Sequence, residues 1–208
     1  EAGRRGARPR HRHRHRAPAA VAEPLQLGQP ADRPLHAMSA LSKLPSRFSV
    51  QAALCVQPPK EHWPPIQAVR KQHDKAYARW PPHINILFPF VAEAALSDAV
   101  LAEVRAAFAA CAPFRVRFSR HDVFTHGKNA VVHLVPEISP SDALQRVHDL
   151  ARKLFPMCTN GNRDKFVPHL TVGQWPARVA EREARKLTRT YRAVEFDVTH
   201  VTIVTRTP

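Results

Sequence analysis

Pro82-His83-Ile84-Asn85-Ile86 and Pro168-His169-Leu170-Thr171-Val172 are the two stretches that decide the fold. In each, a proline precedes a histidine, and an apolar, a small polar and an apolar residue follow. Alternate residues of a strand share a face, so His83 with Asn85, and His169 with Thr171, point the same way, roughly 7 Å apart. Ile84, Ile86, Leu170 and Val172 then enter the opposite, apolar layer. Each stretch presents an imidazole and a neutral hydrogen-bonding group from an anchored strand.

Working outward, Phe48 to Val56 reads as a strand that Pro58-Pro59 ends, followed by a helix with Ile66, Val69, His73, Ala76, Tyr77 and Trp80 on one face. Residues 83–90 form the next strand. A helix capped by Ser97 places Val100, Leu101, Val104, Ala107, Phe108 and Cys111 on one stripe, and a strand from Phe114 to Ser119 closes this half.

Residues 124–135 read as a hairpin turning at Gly127-Lys128-Asn129, whose second strand opens the other half. Ser139-Pro140 starts a helix with Leu144, Val147, Ala151, Leu154 and Phe155 inward. A strand over 168–175 follows, then a helix over 178–190 with Ala180, Ala184, Leu187 and Tyr191 buried and Glu181 paired to Arg185. The last strand runs from Val194 to Thr205.

Both halves thus read strand, helix, strand, helix, strand, with His83 and His169 each near the start of the middle strand. The expected fold is α+β and bilobal: duplicated units with antiparallel sheets flanking a central cleft, the two imidazoles facing one another across it.

Residues 38–208 hold this bilobal domain. Residues 1–37 contain the run Arg10-His11-Arg12-His13-Arg14-His15-Arg16 and an Ala- and Pro-rich stretch without apolar periodicity, and are read as a disordered basic tail. A transit peptide, an RNA-binding arm and sequence upstream of a natural start at Met38 all remain open for it.

The net charge is +15; residues 1–37, with eight Arg against Glu1, Glu23 and Asp32, carry +5 of it, and residues 38–208 carry +10. A positive field of this size favours phosphate-bearing partners. Cys55, Cys111 and Cys158 lie far apart, which fits a reducing compartment and argues against a disulfide framework or a structural zinc cluster. No stretch is apolar enough to span a membrane, and the start lacks the apolar centre of a secretory signal. An intracellular monomer is expected, in cytoplasm or nucleus, with organelle targeting by the tail left open and no membrane partner.

Two imidazoles with two neutral hydrogen-bonding groups suit phosphodiester chemistry. One histidine takes a proton from the attacking hydroxyl or water and the other gives one to the leaving oxygen. Asn85 and Thr171 would hold the non-bridging oxygens as charge builds at phosphorus. The scheme calls for no metal and no cofactor.

A pattern of His, apolar, Ser/Thr/Asn, apolar arises at roughly one His in forty, so among 13 His a stray match is expected about one time in three. His200-Val201-Thr202-Ile203 is read as that stray. It lacks the proline and shares a strand face with Phe196 and Val198.

The residues from Phe166 to Gly173 resemble the second signature of the 2H phosphoesterase superfamily, the group of the RNA 2′-5′ ligase-like proteins and cyclic nucleotide phosphodiesterases. Those from Arg79 to Phe90 resemble the first. The likeness covers about residues 48–205, and the separation of 86 positions from His83 to His169 is of the size that family shows. It implies a bilobal α+β fold, catalysis without metal, and RNA or nucleotide substrates with 2′,3′-cyclic phosphates, 2′-5′ linkages or RNA 3′ ends. Hydrolysis and ligation both stay open. The family pattern has Ser or Thr where this chain has Asn85, which keeps a second reading in play: a catalytically silent RNA-binding module.

Arg79 and Trp175 are further substrate-binding candidates, for phosphate and for a stacked base, with Trp80 beside them. Packing is the alternative role for both tryptophans. His121, His126 and Lys128 near the hairpin are read as a solvated turn, with a basic loop that reaches the ligand as the alternative; His133 on its second strand sits either in the cleft or as a hydrogen-bonded interior residue; and the basic helical run Arg182, Arg185, Lys186, Arg189 and Arg192 is read as a solvated face, with an RNA-backbone track as the alternative.

Overall fold

Antiparallel pairing organises the chain into two main sheets, and the computed structural model describes residues 20–21, 24–28, 40–44, 48–158 and 165–206 of it. The first sheet has the order β1 (Ala20–Val21), β11 (His200–Thr205), β4 (Ala52–Val56), β5 (Ile84–Leu87), with β2 (Leu25–Gln26) also on β11. The second has the order β10 (Val194–Val198), β7 (Phe114–His126), β8 (Asn129–Ser139), β9 (Leu170–Pro176). A short pair, β3 (Phe48–Ser49) with β6 (Phe90–Val91), stands apart. With α1 (Trp63–His73), α2 (Asp98–Ala109), α3 (Ala143–Leu154) and α4 (Ala177–Thr190), this is an α+β architecture.

Local chemistry accounts for the elements. All of β4 is buried because its two faces meet different apolar groups. Leu54 and Val56 join the main core, while Ala53 and Cys55 pack with Trp80 and Val204. The Ser97 hydroxyl caps α2 by accepting from the Val100 N–H at 3.4 Å. The β7–β8 hairpin turns at Gly127, whose φ of +59° suits a residue without a side chain. On α4, Glu181 and Arg185 pair at 3.4 Å, and Ala180 and Ala184 are buried. In β5 and β9, Ile84, Ile86, Leu170 and Val172 are buried, and the alternate residues Asn85 and Thr171 are half-buried.

The helices tie the sheets together. α1 packs on β9 and α3 on β5, so each strand that follows a motif histidine is backed by a helix from the other half of the chain. β5 and β9 also touch each other.

Several sequence expectations need correction. The helix expected to reach Trp80 ends at His73, because the next residues turn around a buried Arg70–Asp74 pair. Ser139 is the last residue of β8, and α3 begins at Ala143 with Asp142 at its N-cap. The strand over 194–205 is two strands in different sheets, parted at Thr199. His200 therefore does not share a strand with Phe196 and Val198; its Nδ1 lies 3.2 Å from Thr199 Oγ1. The strand expected over 114–119 extends to His126 and pairs in the second sheet.

The stretch read as a tail also contributes to the fold. Ala20–Val21 and Leu25–Gln26 pair with β11, and Leu25 and Leu27 are buried. Two-residue strands between prolines carry no period for a pattern search to find. The Arg-His run and Met38 lie outside the described residues. Among the described residues no helix is long and apolar enough to cross a membrane.

Candidate active site

His83 and His169 each stand one residue ahead of a strand, not within it as expected. Both rings turn back onto the chain in the same way. His83 Nδ1 lies 2.7 Å from the Pro81 carbonyl, and His169 Nδ1 lies 2.9 Å from the Val167 carbonyl. A carbonyl only accepts, so Nδ1 carries the proton in both and the neutral ring has its lone pair on Nε2. The proline before each histidine now has a role: it stiffens the link between ring and acceptor carbonyl.

The two motifs line one pocket of about 220 Å³, where His83, Asn85, His169 and Thr171 come together with Arg70, Asp74, Trp80, Phe88 and Gln174. Asn85 Oδ1 is buried there without a protein partner. Burial pulls the His83 imidazole below its ordinary 6.5; Arg70 and His169 push the same way, against the Pro81 hydrogen bond and Asp74. His83 is therefore neutral at pH 7.

A buried polar relay holds the two motifs in register. Arg70 Nε and Nη2 both reach Asp74 Oδ2 at 2.8 Å, and Nη2 also donates to the Trp80 carbonyl at 2.9 Å. Asp74 Oδ1 accepts from the Ala76 N–H at 2.9 Å and from Gln174 Nε2 at 3.3 Å. Gln174 Oε1 in turn accepts from the Lys75 N–H at 3.0 Å. The segment leading from α1 to His83 is thereby pinned to α1 and to β9, which carries Thr171. Burying this ion pair costs desolvation that only its full set of hydrogen bonds offsets.

His169 has neighbours of its own. The His133 ring stands 5.4 Å away, edge to face, and Phe124 stacks on His133 at 4.0 Å and meets His169 edge-on at 5.0 Å. Burial, and then the nearby His169, bring His133 down to about 4. Burial, and then His133, likewise bring His121 to about 4. Both rings are neutral at pH 7, and His133 Nδ1 and His121 Nε2 are buried without protein partners.

The other sequence candidates part company. Neither Arg79 nor Trp175 lines the pocket of the two histidines. Arg79 Nη2 reaches the Lys75 carbonyl at 3.5 Å, and Trp175 stacks on His73 at 4.4 Å. Trp80 is buried, lines the pocket and sits 5.8 Å from the His83 ring. His126 lines an adjoining larger pocket. Arg70, Asp74 and Gln174 were missed; the i,i+4 spacing of Arg70 and Asp74 was their only trace in the sequence.

Comparison with known proteins matches residues 58–208 to the 2′-5′ RNA ligase superfamily. The chain belongs to this family. The matched region contains both motifs and every residue that lines their pocket. Among curated relatives, a Geobacillus kaustophilus protein named "Putative phosphoesterase GK0864" is 30% identical over 122 residues, which is 58% of this chain and 67% of that one. An Oceanobacillus iheyensis protein named "Putative phosphoesterase OB1230" is 25% identical over 122 residues, 58% of this chain and 68% of that one. Family membership thus agrees with the 2H phosphoesterase resemblance carried by His83 and His169.

Proposed function

We propose that this chain is a metal-independent phosphodiesterase of RNA termini or nucleotides, with His83 and His169 as its acid/base pair. The observation that carries the reading is the matched pair of Nδ1-to-carbonyl hydrogen bonds in one pocket, which leaves two Nε2 atoms for a ligand. With a 2′,3′-cyclic phosphate, neutral His83 takes the proton of a water whose oxygen attacks phosphorus. His169, entering with a second proton on Nε2, gives that proton to the leaving ribose oxygen as the P–O bond breaks, and exchange with solvent returns both rings to their starting protonation states. The Thr171 hydroxyl donates to a non-bridging oxygen, and the Asn85 amide, unpartnered at Oδ1, turns its N–H₂ to another. The two motifs also fit a duplicated, bilobal plan with the site in a central cleft: β4, α1, β5, α2 answers to β8, α3, β9, α4.

The test is a substrate panel of 2′,3′-cyclic, 2′-5′ and 3′-5′ linkages in EDTA. Turnover of one class is expected, with His83→Ala and His169→Ala each lowering kcat by about 10²–10⁴-fold. No turnover across the panel, or full turnover in His169→Ala, would overturn the proposal. The departure at Asn85 favours a second reading, a silent RNA-binding module; gain of hydrolysis in Asn85→Thr would count against that one.

A further inference from the structure

A third histidine stands at the site, on β8 and outside both motifs. His133 lies across from Thr171 in the β8–β9 pairing, and the register shifts between Val132 and His133. Such a shift re-aims a side chain, and here it does so beside a motif strand. His133 lines neither the pocket of the two histidines nor the larger one beside it, so it has no surface there for a substrate to touch. We propose that His133 is a positioning residue for His169: its ring, stacked on Phe124, clamps the His169 imidazole so that Nδ1 stays on the Val167 carbonyl and Nε2 stays turned to the pocket. For its effect on rate the proposal rests on the phosphodiesterase reading above. It adds a residue through which no proton passes but on which the acid depends.

The need of His169 for support is the first argument. It stands one residue ahead of β9, and its ring is only half-buried. The hydrogen bond to the Val167 carbonyl fixes one atom of a ring that turns about two side-chain bonds. His83 is placed differently, with the buried Trp80 ring 5.8 Å away.

Geometry is the second. Phe124 and His133 stack at 4.0 Å with 19° between planes, and His169 meets both, Phe124 at 5.0 Å and 89° and His133 at 5.4 Å and 70°. One stack and two edge-to-face contacts are arrangements that aromatic rings favour. A ring that meets two others at steep angles loses both contacts when it turns.

Anchorage is the third. His133 is 3% exposed, on an inner strand of the second sheet, with Asp122 of β7 across from it on one side and Thr171 on the other. A side chain so enclosed holds its own direction. With its pKa brought to about 4, chiefly by burial, the ring is uncharged at pH 7 and leans on His169 without setting a second cation beside it.

Two variants separate the ring from its nitrogens. His133→Leu fills the core without a flat ring, and His133→Phe keeps the ring without nitrogen. Each is compared with wild type in kcat and KM on the substrate class that the panel identifies, with thermal melts alongside. Nitrogen NMR of the His169 imidazole in its neutral form, which needs no turnover, reads which ring nitrogen carries the proton. In His133→Leu, kcat should fall about 10–100-fold with KM within about two-fold of wild type, and His133→Phe should recover most of the loss. The His169 signal should change from a single Nδ1–H tautomer in wild type to a mixture in His133→Leu. A role in core packing alone would lower the melting midpoint and leave kcat and the tautomer of the folded protein as they were. Unchanged kcat in His133→Leu, equal losses in the two variants, or a tautomer that His133→Leu does not alter overturns the clamp. If wild type turns over nothing in the panel, the phosphodiesterase reading falls and the tautomer alone decides the clamp.

Discussion

Acidification should weaken this fold through two histidines that take no part in the proposed chemistry. His121 and His133 are buried side chains whose imidazoles are brought from 6.5 to about 4 in the folded chain, chiefly by loss of water. In the unfolded chain both regain an ordinary pKa. Between pH 6.5 and 4 the unfolded state therefore binds more protons, and stability falls as pH drops through that window. At ~1.4 kcal/mol per pH unit, each ring accounts for at most about 3 kcal/mol, a large share of a typical total of ~5–15 kcal/mol. General charge repulsion in so basic a chain also grows in acid, so the informative quantity is a difference. Urea unfolding of wild type and His121→Phe is followed from pH 7.5 to 4.5. The variant should show the shallower loss, the gap closing by about 1–3 kcal/mol across the window. Parallel curves would refute the argument, as would imidazole titrations by NMR that place both histidines near 6.5.

Activity should depend on pH through His83. Its lowered pKa puts the acid limb of kcat/KM below 6.5, and Asp74→Asn, by removing a charge that raises that pKa, should move the limb lower still. The same substitution leaves the Arg70 guanidinium buried and unpaired, so its denaturation midpoint should report a loss of about 3–5 kcal/mol. Gly173→Ala places a methyl group 2.5 Å from His73 Cβ and 2.7 Å from the Trp175 ring; calorimetry should show a loss of about 1–3 kcal/mol, with activity falling because Thr171 lies two residues away. Ser97→Ala removes the cap of α2, outside the lining of the pocket, and should cost about 1 kcal/mol in thermal melts with turnover unchanged.

The motif strands, the capped α2, the hairpin at Gly127 and the amphipathic α4 were legible because each is written locally, as alternation, a capping hydroxyl, a turn glycine or an apolar stripe. What escaped depends on partners distant in sequence. The apolar alternation changes phase at Thr199-His200, from Val194, Phe196 and Val198 to Val201 and Ile203, and only the two sheets show that this slip parts β10 from β11. Arg70 and Asp74 look like a solvated pair at a helix end, and only burial beneath Gln174 and the Trp80 carbonyl gives them a structural task. Arg79 and Trp175 were chosen for proximity in sequence to the histidines, but the loop after α1 and the His73 stack turn them elsewhere. His133 was set aside as a polar residue on an apolar strand, and it proves to be the ring against which His169 rests.

The exchange of strands between sheets has a consequence for biosynthesis. β5, which follows His83, hangs on β4, and the other neighbour of β4 is β11, made from residues 200–205. A ribosome translating this chain releases both histidines well before it releases the strand that completes the first sheet. Nascent chains arrested before residue 200 should therefore be inert, and a gene split between α2 and β7 should yield two fragments that regain structure only when produced together.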